Sequence, residues 1–295
     1  MIFRKISEII NGWINNQIHV KEESLTDWML YKMSKIIKNI KYIAFNRHDE
    51  AFNGSDWEWW VLRPKFAYRF RIQAKKLKGG NENNRASIKY RNKNGKQIDL
   101  LLTAACTDNF YPLYLFYSSS KPENQLSSFH HPKLREMIEW CKDCKNGAFI
   151  SPACEVYKLI NNKKRGRLQD DKLLDISISL SSFDYFCKKK DSVDGGLLLV
   201  DKLLDLLNDK YVRSCNHNGF RYVYPGSTNS EKLIIPDRLW MSISNGVNLR
   251  WLSENPSSDL LGVDGIVIFD LREDLEYDND MVQCQKCKYR QMKNW

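Results

Sequence analysis

Apolar residues recur at two different spacings in the first part of the chain. Over residues 25–43 they fall three and four apart, which predicts a helix of about four turns that begins near Glu23. Apolar and polar residues then alternate over residues 56–62 and 67–77, which predicts two strands. QIDLLLTAAC predicts a helix, and FYPLYLFYS predicts a fully buried strand. This order of helix, strand, strand, helix and strand is typical of an α/β fold with a central mixed sheet.

The second half of the chain carries less regular patterns. HPKLREMIEWC, SPACEVYKLI and GGLLLVDKLLDLLNDKY predict helices, whereas LLDISISLSSF and LLGVDGIVIFDL predict strands. A charged stretch that begins at Asn161, NNKKRGRLQDDK, is the best candidate boundary. We therefore predict a core of residues 1–160 and a C-terminal α/β extension of residues 161–295. Because no clear linker separates them, both parts could equally form one continuous domain.

The net charge of +10 is concentrated in one part of the chain. Between Val61 and Leu100, twelve basic residues face two acidic ones, and elsewhere the two signs balance. Such a window indicates a polyanionic partner, nucleic acid before an anionic membrane surface, or else a solvated loop rich in lysine. The N-terminus lacks the pattern of a signal peptide, and no apolar run is long enough to span a membrane. We therefore expect a cytoplasmic protein with reduced cysteines.

Polar residues at the ends of the predicted strands form a pattern that suits phosphodiester hydrolysis. Asp56 opens the first strand after a glycine-containing turn, and Gln73 and Lys75 share one face of the second. Asp56 and Gln73 offer oxygen ligands to Mg²⁺, and the carbonyl group between Gln73 and Lys75 can add another. Lys75 can orient an attacking water or stabilise charge on the phosphorane. A carboxylate at the start of the predicted helix, Glu22 or Glu23, completes the set.

Each of these residues also has an ordinary structural explanation. Asp56 follows Asn-Gly-Ser and suits a turn, while Gln73 and Lys75 suit the solvent face of an edge strand. Glu23 could simply complement the dipole at a helix N-terminus. The hypothesis of a catalytic site depends on the residues as a set, because the structural explanation needs each coincidence separately.

Several segments across residues 22–118 resemble known families. The Asp and Q-x-K pattern resembles the restriction-endonuclease-like nucleases, the PD-(D/E)xK superfamily, and most of all the Q-x-K variant of Mrr-type nucleases. The usual Pro before the Asp is replaced here by Ser55. The segments also resemble an uncharacterised bacterial family that reads roughly E-x-x-L-T, G-A-D-W-E-W, Q-A-K-R, Q-L-D-L-L and P-L-Y-x-x-Y. In this chain the corresponding segments are EESLT, GSDWEW, QAKKL, QIDLL and YPLYLFY.

The resemblance implies a restriction-endonuclease-like core, with a central mixed β-sheet flanked by helices, that hydrolyses DNA with Mg²⁺ or Mn²⁺. It implies catalytic roles for Asp56, Gln73 and Lys75, with Glu23 preferred over Glu22 as the helix carboxylate. Glu50 is a further candidate metal ligand. The expected contacts to DNA, largely to its backbone, are Arg71, Lys76, Lys78 and Gln97.

The same resemblance makes a role in bacterial defence against foreign DNA plausible, as a homodimer or with partner proteins of a defence system. One alternative is a non-catalytic nucleic-acid-binding module on a nuclease-like scaffold, because Gln73 in place of an acidic ligand compensates less of the metal's charge. Another is a scaffold protein whose basic window meets an acidic partner. Binding to DNA without cleavage would favour the first alternative, and no binding at low salt would favour the second.

Two further features leave alternatives open. Cys141 and Cys144, with Cys284 and Cys287, form two C-x-x-C pairs that could close one structural Zn²⁺ site or be thiols without metal. The tryptophans of the first predicted strand could stack on bases or, as we expect, pack in the core. They are Trp57, Trp59 and Trp60.

Overall fold

The protein is described by a computed structural model that covers residues 2–37, 40–44, 55–62, 67–79, 84–92, 94–107, 110–161, 168–188 and 265–270. Seven of its strands form one mixed sheet, in the order β1-β9-β2-β3-β6-β7-β8. A small antiparallel pair, β4 and β5, stands apart from it. The strands are β1 (Ile40–Ala44), β2 (Trp57–Leu62), β3 (Ala67–Lys76), β4 (Arg91–Asn92), β5 (Gly95–Lys96), β6 (Tyr111–Tyr117), β7 (Ala148–Pro152), β8 (Ile178–Ser179) and β9 (Gly265–Asp270).

Helices cover both faces of the sheet, so the prediction of a mixed α/β fold is confirmed. Two short 3₁₀ helices, Gln125–Ser128 and Leu180–Lys188, accompany them. None of the described helices is both long and apolar enough to cross a membrane. The α-helices are α1 (Ile2–Asn16), α2 (Glu22–Ile36), α3 (Arg85–Ile88), α4 (Gln97–Thr107), α5 (Pro132–Cys141), α6 (Ala153–Asn161) and α7 (Asp170–Asp175).

Two apolar clusters lie on opposite faces of the sheet. On one face, α1, α2 and α5 pack against alternate residues of β3 such as Phe70 and Ile72. On the other face, α4, α6 and α7 pack against residues of β6 such as Tyr114 and Phe116. Every residue of β6 is buried, as its continuous apolar run predicts. Helix α4 lies on the crossover between the parallel strands β3 and β6, so it begins near the carboxyl end of β3.

The structure corrects several predicted elements. Helix α2 ends at Ile36 with Ile37 as its C-cap, and the apolar positions from Ile40 onwards belong to β1, which pairs with β9 along its whole length. Helix α1 was not predicted, although it buries Phe3, Ile6 and Ile10 against the core. LLDISISLSSF contains the end of α7, the short β8 and a 3₁₀ helix rather than one strand. The helix predicted for GGLLLVDKLLDLLNDKY lies outside the described residues.

The predicted division at residue 160 does not coincide with an edge of the sheet. Strand β8 pairs with β7, and β9 lies between β1 and β2, so residues from beyond position 160 complete the same sheet. Strand β9 is parallel to β2 and antiparallel to β1. It therefore fills an interior position between two strands whose facing edges would otherwise be unpaired.

Candidate active site

The β2–β3 hairpin brings Asp56 opposite Gln73. The Asp56 N–H donates to the Ile72 carbonyl at 2.9 Å, and antiparallel pairing then starts at Trp57. Asp56 Oδ2 accepts a hydrogen bond of 2.6 Å from Gln73 Nε2 and one of 2.8 Å from the Ala74 N–H. Two residues separated by 17 positions in sequence therefore meet at one point, as the sequence predicted for Asp56 and Gln73.

Helix α2 begins at the same end of β3. Glu22 Oε2 accepts a hydrogen bond of 2.6 Å from the Lys76 N–H, and Glu22 Oε1 lies 3.3 Å from Lys75 Nζ. Glu23, the predicted helix carboxylate, is exposed to solvent. Adjacent helical residues point about 100° apart, so only one of the two can reach β3. The structure therefore corrects this choice: Glu22 is the helix carboxylate that joins the strand.

Burial governs the charge of the two carboxylates. Burial raises the pKa of Asp56 to about 7, although Lys75 and the hydrogen bonds from Ala74 and Gln73 oppose this effect. Burial also raises the pKa of Glu22, and Lys75 is again the main opposing group. Asp56 and Glu22 are both partly buried beside one ammonium group, so their ionised forms together carry excess negative charge, which a bound cation would stabilise.

Three buried polar atoms on β3, α4 and β6 have no hydrogen-bond partner. They are Gln73 Oε1, Gln97 Oε1 and the Tyr114 hydroxyl. Tyr114 pairs in register with Gln73 on the neighbouring strand, so both side chains extend from the same face of the sheet. Burial raises the pKa of Tyr114 well above its usual range, and Asp56 and Asp99 raise it further. The sequence of β6 gave no signal for Tyr114, because every position of that strand is apolar or aromatic.

The residues present fit a hard divalent cation. Rotating the Gln73 amide by half a turn would exchange its nitrogen with the unpartnered Oε1 and turn that oxygen towards Asp56. The same rotation would release the Ala74 carbonyl, which now accepts a 3.2 Å hydrogen bond from Gln73 Nε2. One carboxylate and two neutral oxygens are ligands of the kind that Mg²⁺ accepts together with water. Over the described ranges, no group of three or more His, Cys, Asp or Glu side chains is suited to hold a metal ion.

A buried ion cluster lies beside this site on the same face of the hairpin. Glu58 accepts two hydrogen bonds from Arg69, of 2.6 and 2.9 Å, and one of 2.5 Å from Arg71 Nε. Trp60 Nε1 donates a fourth bond of 2.9 Å to Glu58. The Arg71 guanidinium also lies 4.4 Å from the centre of the Phe110 ring. All these side chains are buried, so this face of β3 is not the charged, half-exposed surface that alternation suggested.

The cluster changes the interpretation of the basic window. Arg71 is only 3% exposed and is paired with Glu58, so the prediction that Arg71 contacts DNA is wrong. Lys76 is partly buried, and its ammonium donates to the carbonyl groups of Ile18 and Val20. Lys78 is exposed two residues after the end of β3. The positive charge of β3 is therefore partly internal, and Lys78 remains a candidate for contact with phosphate.

The remaining predictions concern Gln97, Glu50 and the tryptophans of β2. Gln97 is the first residue of α4 and is partly buried. Glu50 lies outside the described residues. All three tryptophans of β2 are buried, which confirms core packing over base stacking.

The described cysteine pair lies at the end of α5 and in the turn that follows it. Cys141 Sγ is 3.2 Å from Ser179 Oγ and 3.0 Å from Ser182 Oγ, and burial raises the pKa of both Cys141 and Cys144. Both cysteines line a cleft of about 600 Å³ between α1, α5 and residues 119–127. Cys284 and Cys287 lie outside the described residues, so the zinc site stays a prediction.

Comparison with known proteins assigns the chain to a family but does not give an activity. No curated protein matches the chain in sequence. The match to a family described as "Family of unknown function (DUF6615)" covers residues 1–239, which include every described residue named at the candidate site. Since this match extends over most of the chain, the protein belongs to the DUF6615 family.

Proposed function

We propose that this protein is a metal-dependent nuclease that hydrolyses DNA phosphodiester bonds. The observation that carries the proposal is the meeting of Asp56 with Gln73, and of Glu22 with Lys75, at one end of β3. Helix α2, the β2–β3 hairpin, α4 and β6 follow the order expected of a restriction-endonuclease-like core. We propose that fold for the core on the strength of this order and of the site's position within it.

Each residue of the site has its own role in the proposed hydrolysis. Asp56 and the amide oxygen of Gln73 would hold Mg²⁺ or Mn²⁺, which when bound polarises the scissile phosphate and lowers the pKa of a water. Lys75 donates to the phosphate or to the attacking water and stabilises negative charge in the transition state. Glu22 fixes the Lys75 ammonium from the side of α2. Glu22 is thus a positioning residue that acts through Lys75.

Exposed basic residues near the site would bind the DNA backbone. Lys78 lies two residues after β3, and Arg91 and Lys96 are exposed on the β4–β5 pair just before α4. Such contacts neutralise phosphates and carry no sequence information. Cleavage of foreign DNA in bacterial defence, alone or with partner proteins, is the role we propose for this activity.

Replacing Lys75 by alanine is expected to reduce cleavage of supercoiled plasmid DNA in Mg²⁺ or Mn²⁺ at least about 100-fold, because the transition-state charge loses its cationic donor. The matched control is Lys158→Ala, which removes a lysine of α6 that is paired with Glu155 at the surface. The control should cleave as the wild type does. Equal activity of Lys75→Ala and the wild type would overturn the catalytic assignment. Salt-sensitive DNA binding without cleavage in either metal would favour the non-catalytic module instead.

Glu22 and Glu23 offer a test of neighbouring residues on one helix. Glu22→Gln is expected to reduce cleavage about 10- to 100-fold, because the Lys75 ammonium loses its charged partner. Glu23→Gln should leave cleavage unchanged, because Glu23 is exposed. Rates from single-turnover assays, with thermal unfolding of each variant, would check this. The reverse order of the two variants would contradict the position of Glu22 in the site.

A further inference from the structure

The side chain of Lys76 joins the end of β3 to the chain segment between α1 and α2. Its ammonium group donates to the Val20 carbonyl at 2.9 Å and to the Ile18 carbonyl. An ammonium group has three donors, so two of them are already used within the protein. The side chain is partly buried, and this burial lowers the pKa of Lys76. Lys76 therefore differs from Lys78, whose side chain is exposed two residues later.

The same residue contacts the start of α2 from both sides of its N-cap. Lys21 is the N-cap residue, and its side chain makes no capping hydrogen bond. A helix start without such a bond is fixed less firmly by its own sequence. The Lys76 ammonium binds the carbonyl of Val20, just before the N-cap. The Lys76 N–H donates to Glu22 Oε2 at 2.6 Å, just after it.

These contacts affect Lys75 because Glu22 binds both lysines. Glu22 Oε1 lies 3.3 Å from Lys75 Nζ, while Oε2 accepts the bond from the Lys76 N–H. Adjacent side chains of a strand point to opposite faces, so Lys75 can face the site while Lys76 faces α2. A shift of the start of α2 would move Glu22 relative to the Lys75 ammonium. Displacements of about 1 Å can lower the rate of an enzyme about 100-fold.

We propose that Lys76 is a positioning residue of this site, which holds the start of α2 on β3 so that Glu22 fixes the Lys75 ammonium. This inference rests on the proposed nuclease function and gives Lys76 a role different from the predicted contact to DNA. The two roles have different consequences. A lysine that binds phosphate changes the affinity for DNA and its salt dependence. A lysine that acts through Glu22 changes the rate of the bound complex.

Lys76→Met is expected to lower kcat for plasmid cleavage about 10-fold and to leave KM within about twofold of the wild type. Methionine keeps an apolar chain of similar length but cannot donate to the two carbonyl groups. The salt dependence of DNA binding should not change, because no contact to phosphate is lost. Lys76→Arg should recover most of kcat, because a guanidinium group can donate to the same carbonyls. Lys78→Met should instead raise KM and weaken the salt dependence.

Asp184→Ala separates this effect from a general loss of stability. Asp184 accepts hydrogen bonds from the N–H groups of Ile2, at 3.0 Å, and Arg4, at 2.7 Å, so it fixes the other end of α1. The substitution should lower the thermal midpoint by about 5 °C and leave cleavage within about twofold of the wild type well below that midpoint. Hydrogen exchange at residues 18–22 should rise in Lys76→Met and stay unchanged in Asp184→Ala.

The experiment measures kcat, KM, the salt dependence of DNA binding and thermal unfolding for these variants, the wild type and Lys75→Ala. If Lys76→Met keeps the kcat of the wild type, or if KM and the salt dependence change instead, the inference is overturned while the nuclease function stands. If Lys76→Met and Asp184→Ala lose cleavage equally, the role of Lys76 is only structural and the inference is again overturned. If the wild type cleaves no DNA with either metal, the proposed function fails and this inference fails with it.

Discussion

Asp56→Asn is expected to abolish DNA cleavage and to make the protein more stable at pH 8. The substitution removes the anionic ligand that we assign to the metal. It also removes a carboxylate that is costly to ionise, because burial raises its pKa to about 7 from an ordinary value of 3.8. The asparagine oxygen can still accept the hydrogen bonds that Gln73 and Ala74 now donate to Asp56. Opposite changes in activity and stability are typical of residues kept for function.

The pH dependence of this stabilisation has a definite sign. Between about pH 4 and pH 7 the unfolded chain has released the Asp56 proton that the folded chain still holds. The free energy of unfolding of the metal-free wild type therefore falls as the pH rises through this range, whereas asparagine does not titrate. The advantage of Asp56→Asn should be small at pH 4 and reach about 4 kcal/mol above pH 7.

Urea denaturation at pH 4.5 and pH 8, in the presence of a chelator, would measure this difference as pH-dependent values of the free energy of unfolding. Asp143→Asn is a suitable control, because Asp143 is exposed in the turn after α5. The control should change neither cleavage nor stability by a measurable amount. Unchanged stability of Asp56→Asn at pH 8 would mean that ionised Asp56 is well solvated, and full cleavage by it would remove Asp56 from the metal site.

Glu58→Ala is expected to destabilise the protein by about 3–5 kcal/mol, a large share of the stability of an ordinary domain. The change leaves the Arg69 and Arg71 guanidinium groups buried without the carboxylate that receives three of their hydrogen bonds. It also removes the partner of Trp60 Nε1. Because Glu58 and Arg71 face each other directly across β2 and β3, the loss should weaken the pairing that aligns Asp56 with Gln73.

Chemical denaturation at pH 7 would measure the loss for Glu58→Ala. The control is Glu8→Ala, which breaks an Arg–Glu pair of 2.9 Å on α1 whose side chains are both more than a third exposed. An exposed pair one helical turn apart contributes about 0.5 kcal/mol, so the control should be close to the wild type. Similar effects of the two substitutions would show that the buried cluster contributes no more than a surface ion pair.

The local sequence pattern was sufficient to predict the central strands and the residues that β3 contributes to the site. Alternation along β3 predicted that Gln73 and Lys75 share a face, and the apolar run of β6 predicted its complete burial. The same alternation could not tell that the polar face of β3 is covered, with Arg69 and Arg71 lying against the Phe110 ring. The sequence pattern therefore suggested that Arg69 and Arg71 are surface charges. In the structure, Glu58, two positions after Asp56, neutralises both.

Periodicity was least informative where a segment's structure depends on distant pairing. The apolar residues of β1 continue the helical spacing of α2, yet they form a strand because β9 lies beside them. Helix phase likewise could not separate Glu22 from Glu23, because both begin the same helix. Only the position of the helix end against Lys76 decides which carboxylate faces the strand.

The sequence by itself determined the mixed α/β class, the β2–β3 hairpin and the meeting of Asp56 with Gln73, because strand alternation and turn residues act over a few positions. Tertiary structure decided which charges are internal, which helix carboxylate joins Lys75, and that the Tyr114 hydroxyl is left without a partner. These features depend on what covers each face of the sheet. Such contacts join residues far apart in the chain, and no local spacing encodes them.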